Sequence, residues 1–394
     1  MQFTPLDKKR RAEWRQMLKS ADPAQIGIAA VLFLASALAL VLCTWQTVAG
    51  VYLLFAAAFY YMLTHSLGAI LAVAVPGMAL YGVSVLVPSL PHPFLMPAVY
   101  TALVLGGVGG GFLILQCREK KYLPLLALPA VAYAVIAVAV GPLQGLWVLV
   151  PVALSLVIGF GMRCCCPQTP VLLMISAVLA GAGIATFLSW YGLCGWPQLN
   201  PFAYLGTLMH NGFSNVFDTI TQAYAQQGIE FAISETDVYN LSALLGNILP
   251  GLFLSACGVL SFIIYRVNLR LLTGWGTLTR VPLRIGAMTV SPIAAGLFIV
   301  ACLAGSLAGG NLFGTVCENL LLVLQPALIL VGITSLLAGN PNRSRVSFFT
   351  LIILALLLLN YPTLALTAAA FLGAVRILIA AVMNAREKKN GGKK

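Results

Sequence analysis

Apolar runs about twenty residues long recur down this chain, and they constrain its fold more than any other feature. A spanning helix needs roughly 20 predominantly apolar residues. Runs of this kind lie at about 26–44, 46–63, 66–88, 97–116, 122–140, 142–162 and 168–190, and again at 241–265, 285–306, 314–337, 346–359 and 361–384. They are continuously apolar, whereas the strands of a membrane barrel alternate apolar and polar residues. The spans are therefore helices, and the fold class is an all-α, polytopic transmembrane helix bundle of about twelve spans (eleven or twelve). The charged share of 8% agrees with this, since a soluble domain carries about 25%.

The eleventh run decides between eleven and twelve spans. The 346–359 run is short for a crossing, and Asn360-Tyr361-Pro362 breaks it from the next. The pair reads either as a tight hairpin or as one kinked helix plus a partly inserted piece.

The chain divides accordingly. Residues 1–25 form a basic amphipathic lead-in with Trp14, Arg15 and Lys19, expected on the inner membrane surface. Helices one to seven occupy 26–190, a polar extracytoplasmic loop 191–240, helices eight to twelve 241–384, and a basic tail 385–394. No short apolar segment with a cleavage site follows the basic start, so the first helix reads as a permanent anchor.

Charge sets the orientation. With the N-terminus inside, Lys8 to Lys19, Arg118, Lys120, Lys121, Arg163, Arg266, Arg270, Arg280, Arg284, Arg343, Arg345 and Arg386 to Lys394 all fall on inner segments. Only Arg376 falls within a span. The positive-inside bias thus predicts a multi-pass protein of the bacterial inner (plasma) membrane with both termini cytoplasmic. The net charge of +12 is spread over short loops and tails. It is assigned to orientation and to anionic lipid at the inner face, not to nucleic acid.

Loop 191–240 contains Asp218, Glu230, Glu235 and Asp237 and no Lys or Arg. Asn200 suits an N-cap and Pro201 the first helical position. Phe202, Leu205, Met209, Phe213, Val216, Ile220 and Tyr224 then repeat at three- and four-residue spacing, with Gly228 as a stop. This predicts an amphipathic helix on the outer face. It either covers the bundle as a re-entry element or serves as a lid or docking surface. Ser234 with Asp237 three residues on reads as a cap for the eighth span.

Candidate binding residues come from breaks in the apolar runs. Gly106, Gly107, Gly110 and Gly111 fall in the fourth span at small-xxx-small spacing. That spacing lets helices approach closely; so many glycines also suit an unwound, ligand-facing segment. Pro250 and Pro292 are read as kinks that leave carbonyls for neighbours or ligand. Arg376 either snorkels to the inner surface or places a charge in the bundle. Leu at Gly107 and Gly110 is expected to abolish ligand binding in a folded protein.

Other chemistry is not indicated. No Asp or Glu falls in the middle of a span, whereas ion-coupled transporters commonly use buried carboxylates there. Cys164-Cys165-Cys166 has poor geometry for one tetrahedral metal, and no His is near it in sequence. Cys194 and Cys317 both fall near the outer face, and whether they pair stays open. His65, His92 and His210 fall on separate segments, and no nucleotide loop is present. We expect no enzyme activity, no cofactor and no metal.

The second half, about 241–384, resembles the YybS-like family of bacterial integral membrane proteins. The resemblance rests on Ile248-Leu249-Pro250-Gly251, on Tyr265-Arg266 to Arg270, on Arg280-Val281-Pro282, and on Asn319-Leu320-Leu321 to Gln325-Pro326. That family is similar to the substrate-binding membrane subunits of energy-coupling-factor transporters, which lack their own ATPase. It implies small-molecule uptake with a separate ATPase module as partner. The chain departs from those subunits in having about twice their helix count, and no binding residue carries over.

The expected function is a substrate-binding or translocating component for a small solute, without its own ATPase. The alternative is a non-transporting scaffold in envelope assembly or division, with envelope proteins as partners.

Overall fold

The computed structural model describes residues 22–42, 67–86, 95–116, 141–193, 201–226, 234–275, 290–308, 312–337 and 362–391, with isolated residues between them. These residues are almost entirely helical. The helices are α1 (Pro23–Leu42), α2 (Leu67–Leu86), α3 (Leu95–Gln116), α4 (Pro142–Arg163), α5 (Gln168–Leu193), α6 (Pro201–Gln226), α7 (Glu235–Gly274), α8 (Pro292–Ala308), α9 (Leu312–Leu337) and α10 (Pro362–Gly391). Six of them (α3, α4, α5, α7, α9 and α10) contain stretches long and apolar enough to cross a membrane. The expected runs 46–63 and 346–359 lie outside the described residues, as does most of 122–140.

Local signals start the helices where the sequence places them. Asp22-Pro23, Gly141-Pro142 and Ser291-Pro292 each put a capping residue before a proline at the first helical position, where its missing N–H is harmless. The Ser234 hydroxyl accepts from the Thr236 N–H at 3.1 Å and opens α7. Pro292 thus begins α8 and does not kink a span, which corrects that expectation. Helix α6 runs as expected from Pro201. Helix α7 differs most from the reading of 241–265. It has 40 residues, about 60 Å at 1.5 Å per residue, twice the roughly 30 Å of a bilayer core.

The chain forms two compact units: residues 1–246 with 260–282, and residues 247–259 with 283–394. In the first unit α3 is central, with α1, α2 and α4 packed on it. Its span is 89% buried, the largest share of the six apolar spans among the described residues. Contacts between numbered residues give the helix directions. Gly106 lies against Ser36 and Gly109 against Ala29 and Leu32, so α1 runs antiparallel to α3. Gly106 meets Pro151 and Gly110 meets Ser155, while Gly159 meets Ile114, so α4 runs parallel to α3. Gly107 meets Ile264 and Gly111 meets Asn268, so α7 runs parallel to both.

These directions gather the start of α1 and the ends of α3, α4 and α7 at one side of the unit. Lys19, Arg163, Arg266 and Arg270 belong to those ends. The lead-in is tied there by backbone pairing. Lys19 N–H donates to the Thr277 carbonyl at 2.8 Å, and Leu18 bridges Leu278. The Gln25 side chain adds a bond from Nε2 to the Trp275 carbonyl at 2.9 Å. Trp275 in turn meets Phe112 of α3 edge-on, with ring centroids 4.5 Å apart.

In the second unit α8, α9 and α10 pack together around Ala295, Phe298, Leu328, Ala370 and Ala374. Gly332 rests on the Ala369 carbonyl and Gly373 on the Leu328 carbonyl, so α9 and α10 cross backbone to backbone. Numbers rise on one helix as they fall on the other, which makes the pair antiparallel. The twelve-span reading, with the 346–359 run as one crossing between them, expects these two helices to be parallel; the 346–359 run lies outside the described residues.

The outward faces are apolar. On α8, Ile293, Leu297, Val300, Leu303 and Leu307 recur at helical spacing and are exposed, Leu307 to 87%. Contiguous exposed apolar surface on this scale belongs in lipid, not water.

Candidate functional site

The glycine segment of α3 is an unbroken helix. A side chain at Gly106 would stand 3.0 Å from Pro151 Cβ, one at Gly107 3.1 Å from Ile264 Cγ2, and one at Gly109 2.8 Å from the Ala29 carbonyl oxygen. At Gly110 it would overlap the Ser155 hydroxyl and approach Phe33 to 2.7 Å, and at Gly111 it would lie 2.8 Å from Ile158 Cγ2. Between them the five glycines admit three neighbouring helices, α1, α4 and α7, as small residues do between membrane helices. Of the two readings of this segment, close packing is the one observed. A leucine at Gly107 or Gly110 would wedge those helices apart, which corrects the expectation that such variants fold.

Polar groups ring this helix. Ser36 donates to the Leu32 carbonyl at 2.7 Å, and Ser155 donates to the Pro151 carbonyl at 2.5 Å, with the Gly106 carbonyl at 3.4 Å. Both are buried. Asn268 of α7 is fully buried against Gly111, and neither its Nδ2 nor its Oδ1 has a hydrogen-bond partner. Sequence reading missed Asn268 because Arg266 marked the end of a span. The signal that would have found it is the set of apolar residues Val267, Leu269, Leu271 and Leu272, which continues the helix past Arg266.

Pro250, Pro292 and Arg376 lie in the second unit, apart from the glycine segment in this division of the chain. Pro250 sits inside α7, where a proline removes one intrahelical bond and bends the helix. Asn319 of α9 inserts its amide at this point. It accepts from the Gly251 N–H at 2.6 Å and donates to the Asn247 carbonyl at 2.8 Å and to the Thr315 carbonyl at 2.9 Å. Gly251 makes room, since a side chain there would meet Asn319 Cα at 2.9 Å. Gly251 and Asn319, 68 residues apart in the chain, therefore touch. Pro292 is exposed at the start of α8. Arg376 is exposed on α10, on a face other than the one that buries Gly373 and Ala374. The structure does not draw these three residues into one site.

An aromatic group joins α5 and α6. Trp190 and Tyr191 meet Tyr204 at centroid distances of 5.7 and 5.5 Å, and Tyr191 is fully buried. His210 of α6 meets Tyr239 of α7 edge-on at 6.2 Å.

The cysteine run has a structural role. Cys166 N–H donates to the Gly161 carbonyl at 2.9 Å and Cys165 N–H to the Met162 carbonyl at 3.1 Å, the paired bonds of a Schellman turn that closes α4. Cys165 takes the left-handed position (φ 54°) usually held by glycine. Among the described residues no group of three His, Cys, Asp or Glu side chains is placed to hold a metal. Cys317 is a buried free thiol, and Cys194 lies outside the described residues.

Fold and surface define a helical, membrane-embedded protein. Comparison with protein-family models, with curated proteins and with solved structures returns no match.

Proposed function

We propose that the chain is a substrate-binding or translocating component for a small solute in the bacterial inner membrane, dependent on an energy source outside itself. The observation that carries this reading is Asn268 of α7, a fully buried amide whose side-chain atoms have no hydrogen-bond partner, packed beside Gly111 of α3. A side chain with only a packing role has its polar atoms paired in nearly all cases. The resemblance of 241–384 to the YybS-like family points the same way, with a separate ATPase module as the expected partner. The chain itself would carry out no catalytic chemistry.

The orientation we propose puts the basic end of the first unit in the cytoplasm. Its support is the convergence of Lys19, Arg163, Arg266 and Arg270 at one side and the positive-inside bias. Anionic lipid headgroups are the natural counter-charges there.

Purification in lipid nanodiscs with mass spectrometry of everything retained tests the function. A retained small solute or a co-purifying ATPase supports it. Protein recovered alone and empty overturns it. A second reading, a scaffold in envelope assembly or division, draws on α6, where Tyr204 anchors an amphipathic helix over Tyr191. Envelope proteins held through 202–226, and lost on deleting that segment, would favour the scaffold.

A further inference from the structure

Arg266 and Arg270 lie deeper than charge counting alone places them. Gly107 of α3 meets both Leu154 of α4 and Ile264 of α7. It stands eight residues after Val99 and nine before Gln116, the ends of the α3 apolar stretch. Leu154 stands nine residues from each end of the α4 stretch, Gly145–Arg163. Ile264 is therefore level with the middle of two spans. At 1.5 Å per residue, Arg266 is about 3 Å past that middle and Arg270 about 9 Å past it. Half of a bilayer core is about 15 Å, so both backbone positions fall at hydrocarbon depth.

Their face of α7 turns away from α3. Each arginine is two residues from Asn268, about 200° round a helix of 3.6 residues per turn, and Asn268 packs beside Gly111 of α3. Ile264, Tyr265, Val267, Leu269, Leu271 and Leu272 are buried, whereas Arg266 is half-buried and Arg270 exposed. Phe262 and Ile263, one turn nearer the middle on the arginine face, are partly exposed.

Two like charges one turn apart repel, and a guanidinium at this depth is costly in hydrocarbon. The pair carries its charge among helices without carboxylates. Helices α1, α3 and α4 contain no Asp or Glu, and those of α7, Glu235 and Asp237, lie at its far end. A phosphate diester answers both arginines, because it is one anion that planar guanidinium forks grip bidentately. A phospholipid carrying it would lay its chains along Phe262 and Ile263. A zwitterionic lipid would bring a cation of its own beside the pair, so the fit is to an anionic one.

We propose that Arg266 and Arg270 form a binding site for one anionic phospholipid on the outward face of α7, its phosphate drawn in below the plane of the neighbouring headgroups. This deepens the anionic-lipid reading of the basic end given above and stands apart from the solute reading.

Native mass spectrometry of the full chain in detergent, titrated with phosphatidylglycerol and with phosphatidylcholine, tests the site. One phosphatidylglycerol should be held about tenfold more tightly than phosphatidylcholine, the scale of one charge-assisted hydrogen bond. Arg266→Gln with Arg270→Gln should remove that preference. Lys19→Gln with Arg163→Gln takes the same charge from the end of the unit and should change the preference by less than about twofold, as exposed cations contribute little. Where the double arginine variant does not fold, Arg270→Gln at its exposed position takes its place, with most of the preference lost. Equal affinity for the two lipids, or an equal loss from both pairs of substitutions, would overturn the site; the second result would leave the basic end as a general anionic-lipid surface. Displacement of the lipid by millimolar inorganic phosphate would also overturn it and assign the pair to a free anion. The solute reading stands or falls separately, on what the nanodisc purification retains.

Discussion

Asn319 of α9 bonds both the Gly251 N–H and the Asn247 carbonyl of α7, the two backbone groups that face each other four residues apart along a helix. Asn319 Oδ1 accepts from the N–H at 2.6 Å, and Asn319 Nδ2 donates to the carbonyl at 2.8 Å. One side chain from α9 thus serves both ends of a single helical bond, one residue past Pro250. Side chains that enter the helical ladder in this way are a recognised cause of kinks, and this one also pins α9 to the bend.

Removing that amide should loosen the second unit. Asn319→Leu removes the hydrogen bonds to Gly251, Asn247 and Thr315, a loss of about 1–3 kcal/mol. Gly251→Ala places a methyl 2.9 Å from Asn319 Cα and should cost a similar amount by overpacking. Because the two residues share one contact, the double variant should be less destabilised than the sum of the singles. Thermal unfolding in detergent reads all three, and strict additivity would show that the contact contributes nothing.

The glycine face of α3 should reject bulk in a graded way. Gly110→Ala drives a methyl into Ser155 and Phe33, whereas Gly107→Ala meets Ile264 Cγ2 at 3.1 Å, a contact that a small shift relieves. The expected order is a loss of about 1–3 kcal/mol at Gly110 and less at Gly107. Ser155→Ala should partly rescue Gly110→Ala by removing the atom it strikes. Equal effects at the two glycines, or no rescue, would contradict the packing described.

Much of this fold is legible in the sequence, and what is legible is local. Pro201 and Ser234 place the starts of α6 and α7 because capping and proline signals act within one turn. Continuous apolar runs place the membrane helices because length and polarity alone decide them. Contacts distant in the chain are not legible. No pattern connects Gln25 with Trp275, or Leu18 with Leu278, 250 and more residues away. The length of α7 was hidden because Arg266 and Arg270 imitate a span end, and Asn268 was hidden with it. The α9–α10 crossing was partly visible: Ala369 and Gly373 have small-xxx-small spacing, but spacing alone does not name the partner helix.

Cys165 yields a prediction opposite to the one its reactivity suggests. At φ 54° a branched side chain is strained, whereas glycine is not. Cys165→Gly loses a small buried thiol but relieves the backbone, and stability should change by less than about 1 kcal/mol. Cys165→Val should lose about 1–3 kcal/mol through its β-branch at a left-handed position. Thermal unfolding ranks the two. Glycine far below valine would remove the structural explanation of the cysteine and reopen a chemical one.

The antiparallel crossing of α9 and α10 predicts a topology that charge counting does not. With Gly332 on Ala369 and Gly373 on Leu328, the segment after Leu337 and the tail after Gly391 leave the pair at opposite ends. Where α10 crosses the bilayer, as its apolar stretch Leu364–Met383 allows, Arg343 and Arg345 therefore face one compartment and Lys393 and Lys394 the other. Cysteines introduced as Ser344→Cys and Gly392→Cys, with native thiols blocked beforehand, can be labelled by a membrane-impermeant maleimide in intact and in opened cells. One of the two should label only after opening. The positive-inside bias favours both basic groups on the inner side, so labelling of both from the same side would return the count to twelve and overturn the packing of this helix pair. Opposite labelling would show that backbone packing, not the charge of the short tail, decides where this chain ends.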